Sequence, residues 1–356
     1  MRRRQHRWLL GGVLLVVAGC ASGAGTGTAP QSPSTSRRSA AAEAVGSSPS
    51  PLASSATGTG TVDAGSGPIG TATAASTTFV IRLSSLRLPT PTTRAVAFAI
   101  GSNLLVAGGL TIRGTTARVV RIPIDGQPSA TVGRLAHPVH DAAGAQLHGS
   151  MLVLGGGASA QAAWVQRVTI DGAGDVPGRL PSARADLAAV AIGSQVIVVG
   201  GGASGRADPR VLATSDGVHF RTVANLPIPV RYAAVVAVGT TVLVIGGLSS
   251  GGDVAVIQAV DLRRGRVAVV GRLPERISHA TALMIGGVVI VAGGRHGGRA
   301  LGSVLEVDPT SYRVRPAGHL PTAESDAAGI VVNCVGYLVG GEAVRPLAAI
   351  VTIALG

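Results

Sequence analysis

The stretch LPSARADLAAVAIGSQVIVVGGG, from Leu180 to Gly202, decides the fold because close copies of it recur along the 356-residue chain. Each copy opens on a leucine, usually followed by proline, and reaches a pair of glycines 20 residues later, after an apolar run. The copies are spaced 45 to 47 residues apart and begin at Leu88, Leu135, Leu180, Leu226, Leu273 and Leu320. Six glycine pairs at a nearly fixed period are structural parts of a repeat and are not phosphate-binding loops.

Each copy carries the signals of four antiparallel strands. In the third copy, the small-residue run at 187–192 is followed by a turn at Gly193-Ser194 and by an apolar run that stops at Gly200, as in a strand buried on both faces. A third strand ends near an Asp-Gly turn such as Asp216-Gly217, and a short fourth strand leads to the next leucine. Four strands in each of six repeats predict an all-β, six-bladed β-propeller.

The two ends of this repeat region predict how the ring closes. The sixth copy stops at Gly356 before its fourth strand, whereas TTFVIRLSSLRL, which ends at Leu88, belongs to no blade of its own. We expect this N-terminal strand to pair with the last strand, LAAIVTIAL, which completes the sixth blade and hides both sheet edges. The propeller is therefore predicted to span residues 77–356, and a monomer is expected.

The glycine pairs after apolar strands, and the Leu-Pro-Ser-Ala-Arg motif before a first strand, resemble kelch repeats over about residues 79–356. Kelch repeats usually place an aromatic residue before the glycine pair and a tryptophan in the last strand. Tyr337 keeps that aromatic in one copy, and Trp164 is the one tryptophan of the repeat region. Sialic acid mutarotase and galactose oxidase also carry kelch propellers, and six copies match the mutarotase better.

One polar residue per repeat lies six positions after the leucine, where the innermost strand begins beside the central channel. These residues are Arg94, Asp141, Asp186, Tyr232, His279 and Asp326. Two interpretations stay open: a salt-bridged collar at a wet channel, with Arg94 between Asp326 and Asp141, or a ligand site at the channel mouth. His279 beside Asp326 is either a general acid–base pair or a solvated loop histidine.

Further cationic side chains are predicted on the same face, where several arginines around a concave mouth could clamp a carboxylate or phosphate. They are Arg184, Arg206, Arg231, Arg295, His296 and Arg299. The eight histidines show no metal-ligand spacing, so neither a metal nor a cofactor is expected. Cys334 has no partner cysteine within the propeller and is expected to be a free thiol.

The N-terminal segment predicts a cellular location. MRRRQHR is a basic region, and the apolar segment that follows it has 11 residues, too few for the roughly 20 that span a bilayer. The sequence VAGC then resembles the bacterial lipobox, which implies a signal peptide at 1–19 and lipidation of Cys20. The alternative is an ordinary signal peptide that happens to contain a cysteine.

Residues 20–76, rich in Ser, Thr, Gly, Ala and Pro, are predicted to be a disordered tether. The predicted location is the cell membrane, with the protein lipid-anchored and facing the extracytoplasmic side.

The charge of the chain excludes one class of partner. The net charge is +13 at pH 7 and every basic residue other than histidine is arginine, but the arginines are scattered and lack the interleaved aromatics of nucleic-acid binding. Two hypotheses remain. The first is a surface-anchored, non-catalytic propeller that binds a glycan or a protein partner. The second is a carbohydrate-active enzyme resembling sialic acid mutarotase, acting on an anionic sugar at the channel mouth. The sequence completes no catalytic constellation, which favours the first.

Overall fold

The structure is a computed structural model that describes residues 78–169 and 174–356. The predicted signal peptide, the lipidation site at Cys20 and the tether lie outside these ranges. No helix in either range is long and apolar enough to cross a bilayer.

The described residues form 31 strands. In chain order these are β1 (Phe79–Arg87), β2 (Val96–Ile100), β3 (Asn103–Ala107), β4 (Leu110–Thr111), β5 (Gly114–Thr115), β6 (Arg118–Pro123), β7 (Ala130–Arg134), β8 (Ala143–Leu147), β9 (Ser150–Leu154), β10 (Trp164–Val168), β11 (Gly174–Arg179), β12 (Ala185–Ile192), β13 (Gln195–Ala203), β14 (Arg206–Ala207), β15 (Arg210–Thr214), β16 (Arg221–Asn225), β17 (Ala234–Val238), β18 (Thr241–Ile245), β19 (Leu248–Ser249), β20 (Gly252–Asp253), β21 (Val256–Asp261), β22 (Arg266–Arg272), β23 (Thr281–Ile285), β24 (Val288–Ala292), β25 (Arg295–His296), β26 (Arg299–Ala300), β27 (Ser303–Val307), β28 (Val314–His319), β29 (Ala328–Val332), β30 (Val335–Val339) and β31 (Ala349–Leu355).

Six four-stranded antiparallel blades account for most of these strands and confirm the predicted six-bladed propeller. From the innermost strand outward, the blades are β2-β3-β6-β7, β8-β9-β10-β11, β12-β13-β15-β16, β17-β18-β21-β22, β23-β24-β27-β28 and β29-β30-β31-β1. The first strands of neighbouring blades contact one another around the central channel. Short hairpins follow the glycine pairs of blades 1, 4 and 5 (β4-β5, β19-β20 and β25-β26), and β14 extends β13 in blade 3.

The N-terminal strand closes the ring as the sequence predicts. Strand β1 pairs antiparallel with β31, with Phe79 opposite Leu355 and Leu83 opposite Val351. Packing closes at the same place, because Leu86 of β1 joins a buried cluster that contains Leu104 of blade 1 and Tyr337 of blade 6. One such apolar cluster lies between each pair of adjacent blades, so the core of this fold is distributed around the ring.

The glycine pairs join one blade to the next. Gly200 has φ +63°, and a Cβ at this position would lie 2.5 Å from the carbonyl oxygen of Val230 in blade 4. The N–H of Gly201 donates to that same oxygen at 3.1 Å. The same arrangement recurs at all six pairs. Only glycine allows this close inter-blade approach at a positive φ, which explains the periodic glycine pair without a phosphate ligand.

The state of Cys334 differs from the expectation. The residue lies with Asn333 in the turn between β29 and β30, and both have positive φ. Cys334 is disulfide-bonded, so the prediction of a free thiol is wrong.

Candidate functional site

The six residues predicted at the channel mouth form a closed ring of backbone hydrogen bonds. The N–H of each donates to the carbonyl oxygen of its counterpart in the preceding blade at 2.8 to 3.2 Å, and the ring closes where Arg94 N donates to Asp326 O at 3.0 Å. We call these six residues the collar: Arg94, Asp141, Asp186, Tyr232, His279 and Asp326.

The collar backbone is strained. All six residues have φ between +52° and +63°, a conformation that costs an L-residue about 1–2 kcal/mol. Two anchors hold each residue there. In blade 6, Leu320 is buried between the blades, and Ser325 exchanges backbone hydrogen bonds with Glu342 just after the glycine pair. Strain of this kind persists only where the surrounding structure enforces it, and it is concentrated at functional sites.

Ion pairs link the collar side chains across neighbouring blades. The Arg94 guanidinium lies 3.2 Å from Asp141 Oδ2 and 3.9 Å from Asp326 Oδ1. His279 Nδ1 lies 2.7 Å from Asp326 Oδ1. The collar therefore contains the salt-bridged arrangement that the sequence offered as one interpretation, with its side chains fixed toward the channel mouth.

Two arginines from outside the collar complete this network. Arg295 Nη2 lies 3.3 Å from Asp326 Oδ2 and 3.2 Å from Glu342 Oε2, and its Nε donates to Ser325 Oγ at 2.7 Å. Arg231 Nη1 donates to Asp186 Oδ2 at 2.8 Å. Both arginines were sequence candidates, and the structure brings them to the collar.

Sequence reasoning missed three members of the network: Glu342, Ser325 and His140, whose Nε2 lies 3.6 Å from Asp141 Oδ2. Glu342 occupies the same place after the glycine pair as Arg295 does in the preceding repeat, but the predicted residues at that place were all cationic. Ser325 and His140 each precede a collar residue, as Arg231 does. Comparing these two positions across all six repeats would have found them.

Aromatic stacking fixes the side chains of Tyr232 and His279, on the part of the collar across the channel from Arg94 and Asp141. The rings of Tyr232 and His279 stack with centroids 3.7 Å apart and planes 22° apart, and the Arg231 guanidinium lies 5.5 Å from the centre of the Tyr232 ring. Burial, together with the nearby carboxylates of Asp141 and Asp186, raises the pKa of Tyr232 far above its ordinary value. The phenol is therefore a neutral hydrogen-bonding group at any physiological pH.

The collar carboxylates differ in their affinity for protons. Burial raises the pKa of Asp141 to about 7, with Asp186 and Asp326 adding to the rise and Arg94 opposing it. Burial also acts to raise the pKa of Asp326, but the hydrogen bond with His279 and the charges of His279 and Arg94 hold it below its ordinary value. Asp141 is thus the collar acid poised to exchange a proton near neutral pH, whereas Asp326 stays ionised.

A cavity of about 120 Å³ lies within the collar and is also lined by Leu187 and by one alanine from each of the other five blades. The cavity is small, so a ligand larger than a few water molecules would lie mainly over its mouth. Below it the channel wall is made mainly of alanine and other small or apolar side chains. The polar chemistry of the channel is therefore concentrated at the collar.

The remaining predicted residues lie elsewhere. The Arg184 side chain is fully buried; its guanidinium bonds to Asp208 Oδ2 at 2.5 Å and to Gly200 O at 3.2 Å. This corrects its assignment as a ligand-binding candidate, because it braces the interior of blade 3. His296 lies on the β25-β26 hairpin, 3.8 Å from Glu275 and half exposed. Arg206 and Arg299 are exposed on hairpins. Within residues 78–169 and 174–356, no group of three or more His, Cys, Asp or Glu could hold a metal ion.

Comparison with known proteins agrees with the architecture. No protein-family model and no curated protein matches the chain. A solved structure described as "Structure of YjhT" superposes with a TM-score of 0.66 at 13% sequence identity, covering 76% of this chain and 96% of that chain. At this identity the likeness shows the propeller fold alone, so the function must be argued from the collar.

Proposed function

We propose that this chain is a non-catalytic, glycan-binding propeller whose collar receives one sugar unit at the channel mouth. The observation that carries the proposal is the ring of six strained residues that presents fixed donors and acceptors around one small cavity. Sugar hydroxyls both donate and accept hydrogen bonds. The guanidinium groups of Arg94 and Arg295 can donate to sugar oxygens, and the carboxylates of Asp141 and Asp186 can accept from sugar hydroxyls.

The shape of the collar favours a glycan over a protein partner. Stable protein interfaces bury about 800 Å² on each side, whereas the collar is a concave opening with few exposed side-chain atoms. Small-molecule sites are concave and carry a few converging polar groups. Binding by a protein partner is the alternative outcome of the test below.

We place this activity at the cell surface, because the N-terminal segment predicts a lipid anchor at Cys20 and a Ser/Thr/Gly/Ala/Pro-rich tether over residues 20–76. Two or more acyl chains give stable membrane attachment. In this proposal the tether separates the propeller from the lipid, and the collar faces extracytoplasmic glycans.

The test is a glycan array with the full-length protein, followed by calorimetry on the best ligand. Arg295→Gln removes a collar donor, and Arg299→Gln changes an exposed arginine on the same hairpin as the matched control. A hydrogen bond to a charged group contributes about 1.5–3 kcal/mol, so Arg295→Gln should weaken binding about tenfold or more while Arg299→Gln leaves it unchanged. Absence of any glycan ligand, or equal effects of the two variants, would contradict the proposal.

A second candidate function rests on the His279–Asp326 pair and on Asp141, whose pKa is raised to about 7 by burial. A carboxylate-bound imidazole and a neighbouring acid that titrates near neutrality could perform acid–base chemistry on a sugar. The resemblance to sialic acid mutarotase implies an anionic sugar as the substrate. Anomer exchange of sialic acid followed by NMR tests this activity. Turnover abolished by His279→Gln alone would favour the enzyme, whereas graded loss of affinity across several collar variants favours the binding protein.

A further inference from the structure

A second cavity, of about 550 Å³, lies on blade 1 and is more than four times as large as the collar cavity. Its walls come from the β4-β5 hairpin and the start of β6, with Thr90, Arg134 and Pro138 completing it. We call it the blade-1 cleft. Three of its lining residues are arginines, four are threonines and none is acidic or aromatic.

Two arginines of the cleft lie directly opposite each other, and their repulsion lowers the stability of the folded blade. Arg118 and Arg134 are direct cross-strand partners on β6 and β7, and both are exposed. Like charges directly opposite each other destabilise an antiparallel pair. Among the described residues, no carboxylate lies within ion-pair distance of Arg113, Arg118 or Arg134. A bound anion would neutralise this repulsion.

Hydroxyl groups in the cleft add hydrogen-bonding capacity and link it to the collar face. Thr90 Oγ1 accepts from Arg118 Nη1 at 3.2 Å, which orients that guanidinium. Thr115 Oγ1 lies 2.9 Å from His140 Nδ1, and His140 Nε2 lies 3.6 Å from Asp141 Oδ2 in the collar. The cleft and the collar therefore open on the same face of the propeller.

The basic character continues around the rim of this face. The residue that precedes the repeat leucine ends the outermost strand of each blade, and it is basic in five of the six blades: Arg87, Arg134, Arg179, Arg272 and His319. All five are exposed. Four exposed arginines, one on each of four blades, favour a polymer that carries repeated negative charges over a single small anion.

We propose that the blade-1 cleft binds the anionic units of an acidic polysaccharide, with carboxylates held by Arg113, Arg118 and Arg134 and sugar hydroxyls by the threonines. Bidentate guanidinium–carboxylate pairing gives such a site its strength. The cleft lacks the aromatic stacking surfaces of single-stranded nucleic-acid sites, which favours a polysaccharide over a nucleic acid. This inference goes beyond the proposed function, because the cleft is a separate site and does not depend on the collar.

The experiment measures binding of hexagalacturonate to the full-length protein by calorimetry at low ionic strength. Arg118→Gln and Arg134→Gln test the cleft, and Arg121→Gln, an exposed arginine near the other end of the same strand β6, is the matched control. Each cleft variant should bind about tenfold more weakly or worse, and Arg121→Gln should bind like the wild type. Maltohexaose, which is neutral and of equal length, should not bind.

Thermal melts with and without ligand distinguish a variant that has lost binding from one that is poorly folded. Hexagalacturonate should raise the melting temperature of the wild type and of Arg121→Gln by mass action, and it should not raise that of Arg118→Gln or Arg134→Gln. Without ligand, Arg134→Gln should melt at or above the wild-type temperature, since the like-charged pair is gone.

Three results would overturn the proposal. The first is equal hexagalacturonate binding by cleft and control variants. The second is equal or tighter binding of hexathymidylate, which would make the cleft a nucleic-acid or general polyanion site. The third is loss of hexagalacturonate binding in Arg295→Gln but not in the cleft variants, which would assign the acidic sugar to the collar.

Discussion

Leu86→Ala should destabilise the propeller, whereas Leu83→Ala on the same strand should not. Both residues belong to β1, the strand that closes the ring. Leu86 is 9% exposed and packs in the cluster between blades 6 and 1, whereas Leu83 is 50% exposed. The two substitutions remove the same atoms from one strand, so they separate ring closure from any general effect of changing the N-terminal segment.

The magnitude follows from this difference in burial. A buried Leu→Ala change costs about 2–5 kcal/mol, and the slight exposure of Leu86 places it near the lower end, at about 2–3 kcal/mol. In a domain of this size each kcal/mol lowers the melting temperature by about 2–4 °C. We therefore expect Leu86→Ala to melt about 4–12 °C below the wild type, and Leu83→Ala to stay within about 0.5 kcal/mol of it.

Melts at one fixed scan rate, followed by circular dichroism, measure the difference. Deleting residues 77–87 should have a larger effect of the same sign, because it also removes the β1-β31 ladder and exposes an apolar edge. Deleting residues 21–76 should have almost none. Equal melting points for Leu86→Ala and Leu83→Ala, or for the two deletions, would mean that β1 does not hold the ring closed.

The remaining predictions concern pH, packing and cellular location. Burial raises the pKa of Glu324 from 4.5 to about 7, so the folded state keeps a proton that the unfolded chain loses, and stability should fall as pH rises through this window. Melts of Glu324→Gln from pH 5 to 8 should show a smaller fall than the wild type, with Asp141 contributing the remainder. Gly200→Ala should destabilise far more than Gly193→Ala in urea titrations, because both glycines have positive φ but only the Cβ at 200 would meet the next blade. Cys20→Ser should release the protein from membrane fractions; unchanged partition would refute the lipid anchor. A fragment that starts at Thr77 should be soluble and resist proteolysis, since it contains all six blades and the closing strand.

Most of the fold could be predicted from the sequence because the repeat interval, and with it the number of blades, can be read directly from recurring residues. Six leucines and six glycine pairs recur at intervals of 45 to 47 residues. Because one four-stranded repeat cannot bury its apolar faces by itself, each repeat must pack against the next. The closing strand could be predicted for the same reason, as the apolar segment Phe79–Leu83 had no partner within its own repeat. The disulfide of Cys334 could not be predicted in this way, because no other repeat has a cysteine at the matching position.

The collar was only partly predictable. The shared offset from the repeat leucine identified its six residues, since position in a repeat fixes position in the ring. Their left-handed backbone was not predicted, because none of them is glycine and the surrounding hydrogen bonds enforce that conformation. Arg184 was misplaced for a related reason: it lies two residues before Asp186, but that position faces the blade interior, where Asp208 neutralises it.

The collar and the blade-1 cleft use charge in different ways. In the collar, three arginines face four carboxylates within one network, so removal of a single partner leaves a poorly hydrated charge unpaired, a loss of about 3–5 kcal/mol for a buried pair. Such a site orients a polar ligand at short range. Among the residues that the structure describes, the arginines of the rim and cleft have no carboxylate partner, and their attraction acts over the Debye length of about 8 Å at physiological salt. If both proposals hold, a glycan with acidic and neutral sugars is first attracted by the rim and then positioned by the collar. Added salt should then slow capture at the rim far more than it weakens the bonds made within the collar.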